Sequence, residues 1–218
     1  MKRQDYKEMN IIPDLKLNIK KIKEISGGSS DVLINEFVTG NIKCALLCCE
    51  GMLSTSTITE LVLEPIVNID TKKDSHELFH YIQNYLLLSV DRPEATNYDS
   101  LFRLINSGFA VLIADGINKA LAFGVQGYAV RSISEPSGEG NIMGSHEGFV
   151  EAVRTNMSLI RRRIKSPELV FELFVKGEKS RTDLCLCYMK DRVPLNFSNE
   201  YTSHLTTYSL KPFSQQVI

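Results

Sequence analysis

The stretch Phe109-Ala110-Val111-Leu112-Ile113-Ala114-Asp115-Gly116-Ile117-Asn118-Lys119-Ala120-Leu121-Ala122-Phe123-Gly124-Val125 decides the fold. Phe109–Ala114 reads as a strand, Asp115-Gly116 as the turn signal and Ala120–Val125 as the returning strand. The same stretch is the longest candidate for a membrane span. Asp115, Asn118 and Lys119 interrupt it at mid-length, so it does not fit a bilayer-crossing helix of about 20 apolar residues. A hairpin is the better reading, and the chain as given is expected to be soluble.

Working outward, Tyr98–Asn106 reads as a short helix and His76–Leu88 as a longer one. Ser54–Val67 reads as a helix whose last turn Pro65 weakens. Val32–Val38 and Lys43–Cys49 form a second strand pair turning at Gly40-Asn41. On the other side, Glu135-Pro136-Ser137-Gly138-Glu139-Gly140 has linker composition, and a helix runs from about His146 to Ile164. A third strand pair follows, Leu169–Val175 and Thr182–Met189, turning at Gly177–Ser180. Helices interleaved with strand pairs predict an α/β (mixed α+β) fold of two small subdomains, each a mixed sheet packed by helices. The expected divisions are a polar leader at 1–28 with an amphipathic stretch at Leu15–Ile25, an N-terminal α/β subdomain at 29–134, a second, incomplete one at 135–191, and an atypical tail at 192–218. No internal repeat is evident.

Bulk chemistry excludes several classes. The chain has 218 residues with 25 Lys+Arg against 26 Asp+Glu, so it is not a basic protein that coats nucleic acid. Its 43% hydrophobic content can bury a core, and 13 Gly with 7 Pro are too few for a low-complexity chain. The five cysteines include no Cys-x-x-Cys pair, and no secretory signal precedes the domain, which predicts reduced, buried thiols in a cytosolic setting. Cys185 and Cys187, two apart on a strand, share one face as packing residues. Gly124-Val125-Gln126-Gly127 and Gly138-x-Gly140 lack the spacing and the Lys-Ser/Thr of phosphate loops, and no Gly-x-Ser-x-Gly occurs.

One string matches a chemical motif. His76-Glu77-Leu78-Phe79-His80 has the H-E-x-x-H pattern, in which two imidazoles at i and i+4 share a helix face and a zinc ion while the Glu activates water. The alternative function is therefore a zinc-dependent hydrolase, with Glu94 or Asp99 as third ligand. Against it, Asp74 is placed to cap the helix with Glu77 at its third position. The apolar stripe Leu78, Ile82, Tyr85 and Leu86 also leaves both histidines facing solvent. The expectation is a helix cap, with no metal site, no cofactor and no catalytic residue.

The segment Glu147–Lys165 is the more informative one. Phe149, Val153, Met157, Ile160 and Ile164 make an apolar stripe, while Arg154, Arg161, Arg162, Arg163 and Lys165 crowd the remainder. A cationic helix end suits the macrodipole, and the same cluster could dock acidic protein or anionic headgroups. No aromatic residues interleave the arginines, which argues against nucleic acid.

At this helix the sequence becomes recognisable. Arg131-Ser132-Ile133-Ser134-Glu135-Pro136, Glu147-Gly148-Phe149-Val150-Glu151-Ala152-Val153-Arg154-Thr155-Asn156 and Leu159-Ile160-Arg161-Arg162-Arg163-Ile164-Lys165 resemble the A subunit of GerA-type spore germinant receptors, in its N-terminal soluble domain. Asn84-Tyr85-Leu86-Leu87-Leu88-Ser89-Val90, Asp115-Gly116 with Lys119-Ala120-Leu121, and Lys179-Ser180-Arg181-Thr182-Asp183 follow the family order, from about residue 30 to 190. The resemblance implies a non-enzymatic cytoplasmic domain of two α/β parts, taking part in receptor assembly and in signalling of spore germination. The implied partners are B and C receptor subunits and other A subunits, with the inner spore membrane reached through the full-length protein only. The A subunit is associated with ion conduction and the B subunit with nutrient recognition; neither requires the histidine pair. Arg154, Arg161, Arg162 and Arg163 become the expected interface residues. The family continues after about Asp191 into more of the second subdomain and transmembrane helices, whereas Arg192–Ile218 departs from it, as an excised, truncated or frame-shifted end would.

Overall fold

A computed structural model describes residues 6–69, 74–86, 89, 91–127, 148–194, 197 and 201. The deciding stretch is a hairpin: β4 (Phe109–Ala114) pairs antiparallel with β5 (Ala120–Gly124). β4 sits inside a five-stranded sheet of order β1-β2-β4-β5-β3, with β1 at Val32–Thr39, β2 at Ile42–Cys49 and β3 at Glu94–Ala95. A second sheet of two strands joins β6 (Leu169–Lys176) to β7 (Thr182–Met189). The mixed α/β class stands. Among the described residues, however, every strand pair is antiparallel rather than mixed; short turns join β1 to β2, β4 to β5 and β6 to β7.

Side-chain alternation on the central strands builds two cores. Ala45, Leu47 and Cys49 of β2 and Val111 and Ile113 of β4 face one layer. Cys44 and Leu46, with Ala110, Leu112 and Ala114, face the other. The first layer is covered by α1 (Leu15–Ser26), through Leu15, Ile19, Ile22 and Ile25, and by α5 (Tyr98–Ile105). The second is covered by α2 (Thr55–Ile58), a π-helical turn at Thr59–Leu63, α3 (Glu64–Val67) and α4 (Ser75–Asn84). β4 is buried on both faces, which is why its sequence reads as an unbroken apolar run.

The β1–β2 turn falls where expected. Gly40 and Asn41 have φ of 53° and 70°, the two left-handed residues a tight hairpin needs. Ser54–Val67 is continuous in outline, but a π turn precedes Pro65, with the Glu64 amide reaching the Thr59 carbonyl. Proline offers no amide and crowds the carbonyl four residues back, and a widened turn accommodates both.

Residues 6–26, read from sequence as part of a polar leader, belong to the core. Tyr6, Ile11 and Leu15 are buried, and Ile11 N donates to Thr96 O at 2.9 Å while Tyr98 N donates to Met9 O at 3.0 Å. The second long helix, α6, spans Val153–Arg163, not His146–Ile164. Val150 N donates to Asn156 Oδ1 (2.8 Å) and Asn156 Nδ2 to Val150 O (2.6 Å), so Asn156 holds the preceding backbone in a non-helical path. Phe149 is consequently 72% exposed and off the apolar stripe, leaving Met157 and Ile160 to pack on Leu169 and Phe171. The expected boundary at 134/135 and the linker lie outside the described residues, as does most of 192–218. Among the described residues, no helix is long and apolar enough to cross a membrane.

Candidate functional site

The arginine helix and the H-E-x-x-H helix meet different fates. On α6, Arg154 and Arg161 lie seven residues apart on one face, with Met157 and Ser158 buried between them. That face lies on the end of the β1–β2 hairpin. A Cβ added to Gly51 would stand 2.9 Å from Ser158 Cβ, so the approach of helix to turn requires glycine there, at φ 72°.

Arg161 is 1% exposed and Asp31, just before β1, is 2% exposed. Arg161 Nε donates to Asp31 Oδ2 at 2.7 Å and Nη2 to Oδ1 at 3.0 Å, a two-pronged pair across 130 residues of sequence. Two further guanidinium protons reach Ser166 O (2.7 Å, from Nη1) and Leu169 O (2.9 Å, from Nη2), and its carbon lies 5.2 Å from the Phe171 ring centroid. Ser29 Oγ donates to Asp31 Oδ1 at 2.5 Å and accepts from Phe171 N at 2.9 Å. Ser30 N donates to Phe171 O at 2.8 Å, and Glu50 N to Asp31 O at 2.8 Å. The charges are thus desolvated but paired and hydrogen-bonded, the condition under which a buried ion pair is tolerable.

Around this centre the seam continues. Arg154 Nη1 donates to both oxygens of Glu50, at 2.6 and 2.5 Å, in a half-exposed pair. Lys190 Nζ donates to Glu24 O and Ile25 O, carbonyls in the last turn of α1, where a cation complements the dipole. Burial pushes the Lys190 pKa down, against the opposing pull of Glu168 and Asp191. Of the four arginines expected at an interface, Arg154 and Arg161 serve a joint within the chain, while Arg162 is half-buried and Arg163 exposed. Asp31, Ser29 and Glu168 completing that joint were not singled out from sequence. Their buried polar side chains are a signal only once their distant partners are known.

The H-E-x-x-H residues sit on α4 as a cap. Glu77 N donates to Asp74 Oδ1 (2.8 Å), and Asp74 N donates to Glu77 Oε2 (3.4 Å). His76 and His80 are exposed beside an open depression of about 480 Å³, shared with Tyr81 and Tyr85. Tyr85 is 71% exposed, so the buried stripe is Leu78, Phe79 and Ile82 instead. Of the proposed third ligands, Glu94 binds Lys119 (3.0 Å) and Gln83, and Asp99 lies on α5. Among the described residues, no three His, Cys, Asp or Glu side chains group to hold a metal.

The thiols are not nucleophiles in waiting. Burial raises Cys44 to about 12, with the Asp115 charge adding to it, and raises Cys48 to about 11, with Glu50 adding. Cys49 is pushed up further, by burial and then by Asp31, with Arg161 opposing. Cys185 is half-buried and Cys187 exposed, so the expected shared packing role does not hold for Cys187.

Fold and seam together define an α/β domain of two antiparallel sheets joined by a buried ion pair. Known proteins place it further. Residues 20–215 match the family model of the Bacillus/Clostridium GerA spore germination protein. The chain is 34% identical over 192 residues to spore germination protein KA of Bacillus subtilis (strain 168), covering 86% of this chain and 35% of that protein. It is 35% identical over 188 residues to the B. subtilis membrane protein YfkQ, covering 85% and 36%. It also matches the crystal structure of the N-terminal domain of the A subunit of the Bacillus megaterium spore germinant receptor GerK3, with a TM-score of 0.70 and 25% identity over 92% of this chain and 74% of that one. The chain belongs to the GerA family of spore germination proteins, and its fold is that of a germinant-receptor A-subunit N-terminal domain. The chain spans about a third of the curated relatives it matches. The family match extends beyond the 30–190 read from sequence and takes in most of 192–218, the stretch set apart as atypical.

Proposed function

We propose that this chain acts as the non-enzymatic cytoplasmic domain of a germinant receptor A subunit, taking part in receptor assembly and in signalling of germination at the inner spore membrane. The observation that carries the reading is the match, at a TM-score of 0.70, to an A-subunit N-terminal domain over 92% of the chain. Arg154 and Arg161 serve the interface between the two units inside the chain. Arg162 and Arg163, half-buried and exposed on the same helix, are assigned to the interface with B and C subunits or other A subunits. A jointed but stiff body suits a relay, because a push on the second unit is transmitted to the first through the seam instead of being absorbed.

The test is Arg162→Glu with Arg163→Glu in a full-length receptor that retains its membrane domain. The expected outcome is loss of subunit co-purification and of nutrient-triggered germination, with A-subunit abundance unchanged. Normal assembly and germination would remove both residues from the interface.

A further inference from the structure

A second hollow, of about 280 Å³, opens where the N-terminal segment, α5 and the α6–β6 loop meet. Its cations come from all three: Lys7, Arg103 and Lys165. Each is exposed, and none has a hydrogen bond or ion pair among the described residues. Tyr6 and Phe102 form an apolar wall, ring edge to ring face with centroids 6.5 Å apart. Two carboxylates also line the hollow. Glu168 is 7% exposed, accepts from the Tyr6 hydroxyl at 3.3 Å and from the Ser166 hydroxyl, and so is bound into the floor. Asp99, in the first turn of α5, is exposed at the rim.

Three cations from separate segments meet two carboxylates there, and with Glu168 held by the Tyr6 and Ser166 hydroxyls the lining keeps a positive excess that draws an anion. The cations' donors are a planar fork and two ammonium heads, a set that suits a group presenting several oxygens better than it suits a two-oxygen carboxylate. We propose that this groove binds a phosphate-class oxyanion, either a soluble phosphoester or the headgroup of an anionic lipid. Lys7 and Arg103 belong to the first unit and Lys165 to the second, so a bound oxyanion also ties the units together beside the Arg161 joint. Asp99 opposes the anion and holds its affinity down. This inference is independent of the receptor reading.

Inorganic phosphate is the probe, titrated into the 218-residue chain at constant ionic strength with chloride as control, and followed by amide chemical shifts. The expected result is saturable shifts at Lys7, Arg103 and Lys165 with phosphate alone, together with a rise in Tm. Arg103→Ala with Lys165→Ala should weaken binding by about tenfold or more. Asp99→Asn, a surface change that leaves the cations in place, should tighten it several-fold. Shifts that do not saturate, an equal response to chloride, or unchanged affinity in both variants would overturn the proposal. Sedimentation with phosphatidylglycerol vesicles, against phosphatidylcholine alone, assigns the source. Retention lost in the double variant supports the lipid headgroup, and phosphate saturation without retention supports a soluble phosphoester.

Discussion

Two regions of the molecule are built alike and finished differently. α1–β1–β2 and α6–β6–β7 each run helix, five-residue connection (27–31 and 164–168) and a hairpin of eight-residue strands. In each, an asparagine at the fourth helical position clamps the backbone six residues earlier. Asn18 binds Ile12 N and O at 3.2 and 2.6 Å, and Asn156 binds Val150 N and O at 2.8 and 2.6 Å. The first copy gains β4, β5 and β3 on the open side of β2 and is covered on both faces. The second, among the described residues, remains a two-stranded ribbon over a small core centred on Met157, Leu169 and Phe171. A two-stranded sheet is marginal alone. With so small a core of its own, the second sheet is expected to depend on the first through the Arg161–Asp31 joint.

The most direct way to break that dependence is Arg161→Ala. It strands the Asp31 carboxylate 2% exposed and leaves Ser166 O and Leu169 O without their donor. The expected loss is about 3–5 kcal/mol in urea unfolding. Proteolysis of β6–β7 should precede that of the five-stranded sheet. Arg161→Met with Asp31→Leu removes both charges and should recover part of the loss. Near wild-type stability in Arg161→Ala would mean the second unit stands without the joint.

The equivalent strands β2 and β7 carry all five cysteines, and these sharpen the comparison. Cys44, Cys48 and Cys49 are buried on β2, while β7 leaves Cys185 half-buried and Cys187 exposed. Alkylation of the native protein should modify Cys187 first, with the β2 thiols protected until unfolding. The folded pKa values of Cys44 and Cys48, about 12 and 11, lie above the ordinary 9.0. The stability these protonated thiols support is complete below about pH 9 and falls as pH rises toward the folded values, since the unfolded chain releases its protons first. Each should cost about 1.4 kcal/mol per pH unit in that window, read as a urea midpoint dropping from pH 9 to 11. Serine at both positions should lessen the slope, leaving the part due to Cys49.

The paired asparagines give a smaller contrast. Asn18 is 1% exposed and also accepts from the Tyr98 hydroxyl at 2.7 Å, whereas Asn156 is only half-buried. Asn18→Ala should cost about 2–3 kcal/mol by leaving buried partners unmet, and Asn156→Ala about 1 kcal/mol. Equal losses would show that the two clamps do the same work despite their different burial.

Much of the fold was legible because strand alternation and the Gly40-Asn41 turn are local signals. The joint was not. Asp31 and Arg161 are 130 residues apart, and nothing near either names the other. The seven-residue spacing of Arg154 and Arg161 did carry information, since it puts both on one helix face and Arg162 and Arg163 out of phase with them. Reading the four as one cationic patch lost that phase. The likeness of the two regions was invisible because it lies in element order and length, with Asn18 and Asn156 its plainest shared residues. The start of α6 was misplaced because a side chain clamping backbone six residues upstream has the same composition as one facing water.

The smallest expected effects test the motif that looked most like chemistry. If α4 is a capped helix with exposed histidines, Asp74→Ala should cost about 1 kcal/mol, by releasing the Glu77 amide it accepts from at 2.8 Å. His80→Ala should change stability by less than about 0.5 kcal/mol. A zinc centre reverses that order: His80→Ala would then release metal and lower Tm, and Asp74→Ala would matter only through the helix end. Both variants, unfolded in urea with and without chelator and with metal content measured on the wild type, decide between the readings. Stoichiometric zinc that His80→Ala abolishes would require a third ligand from outside the residues described for this fold.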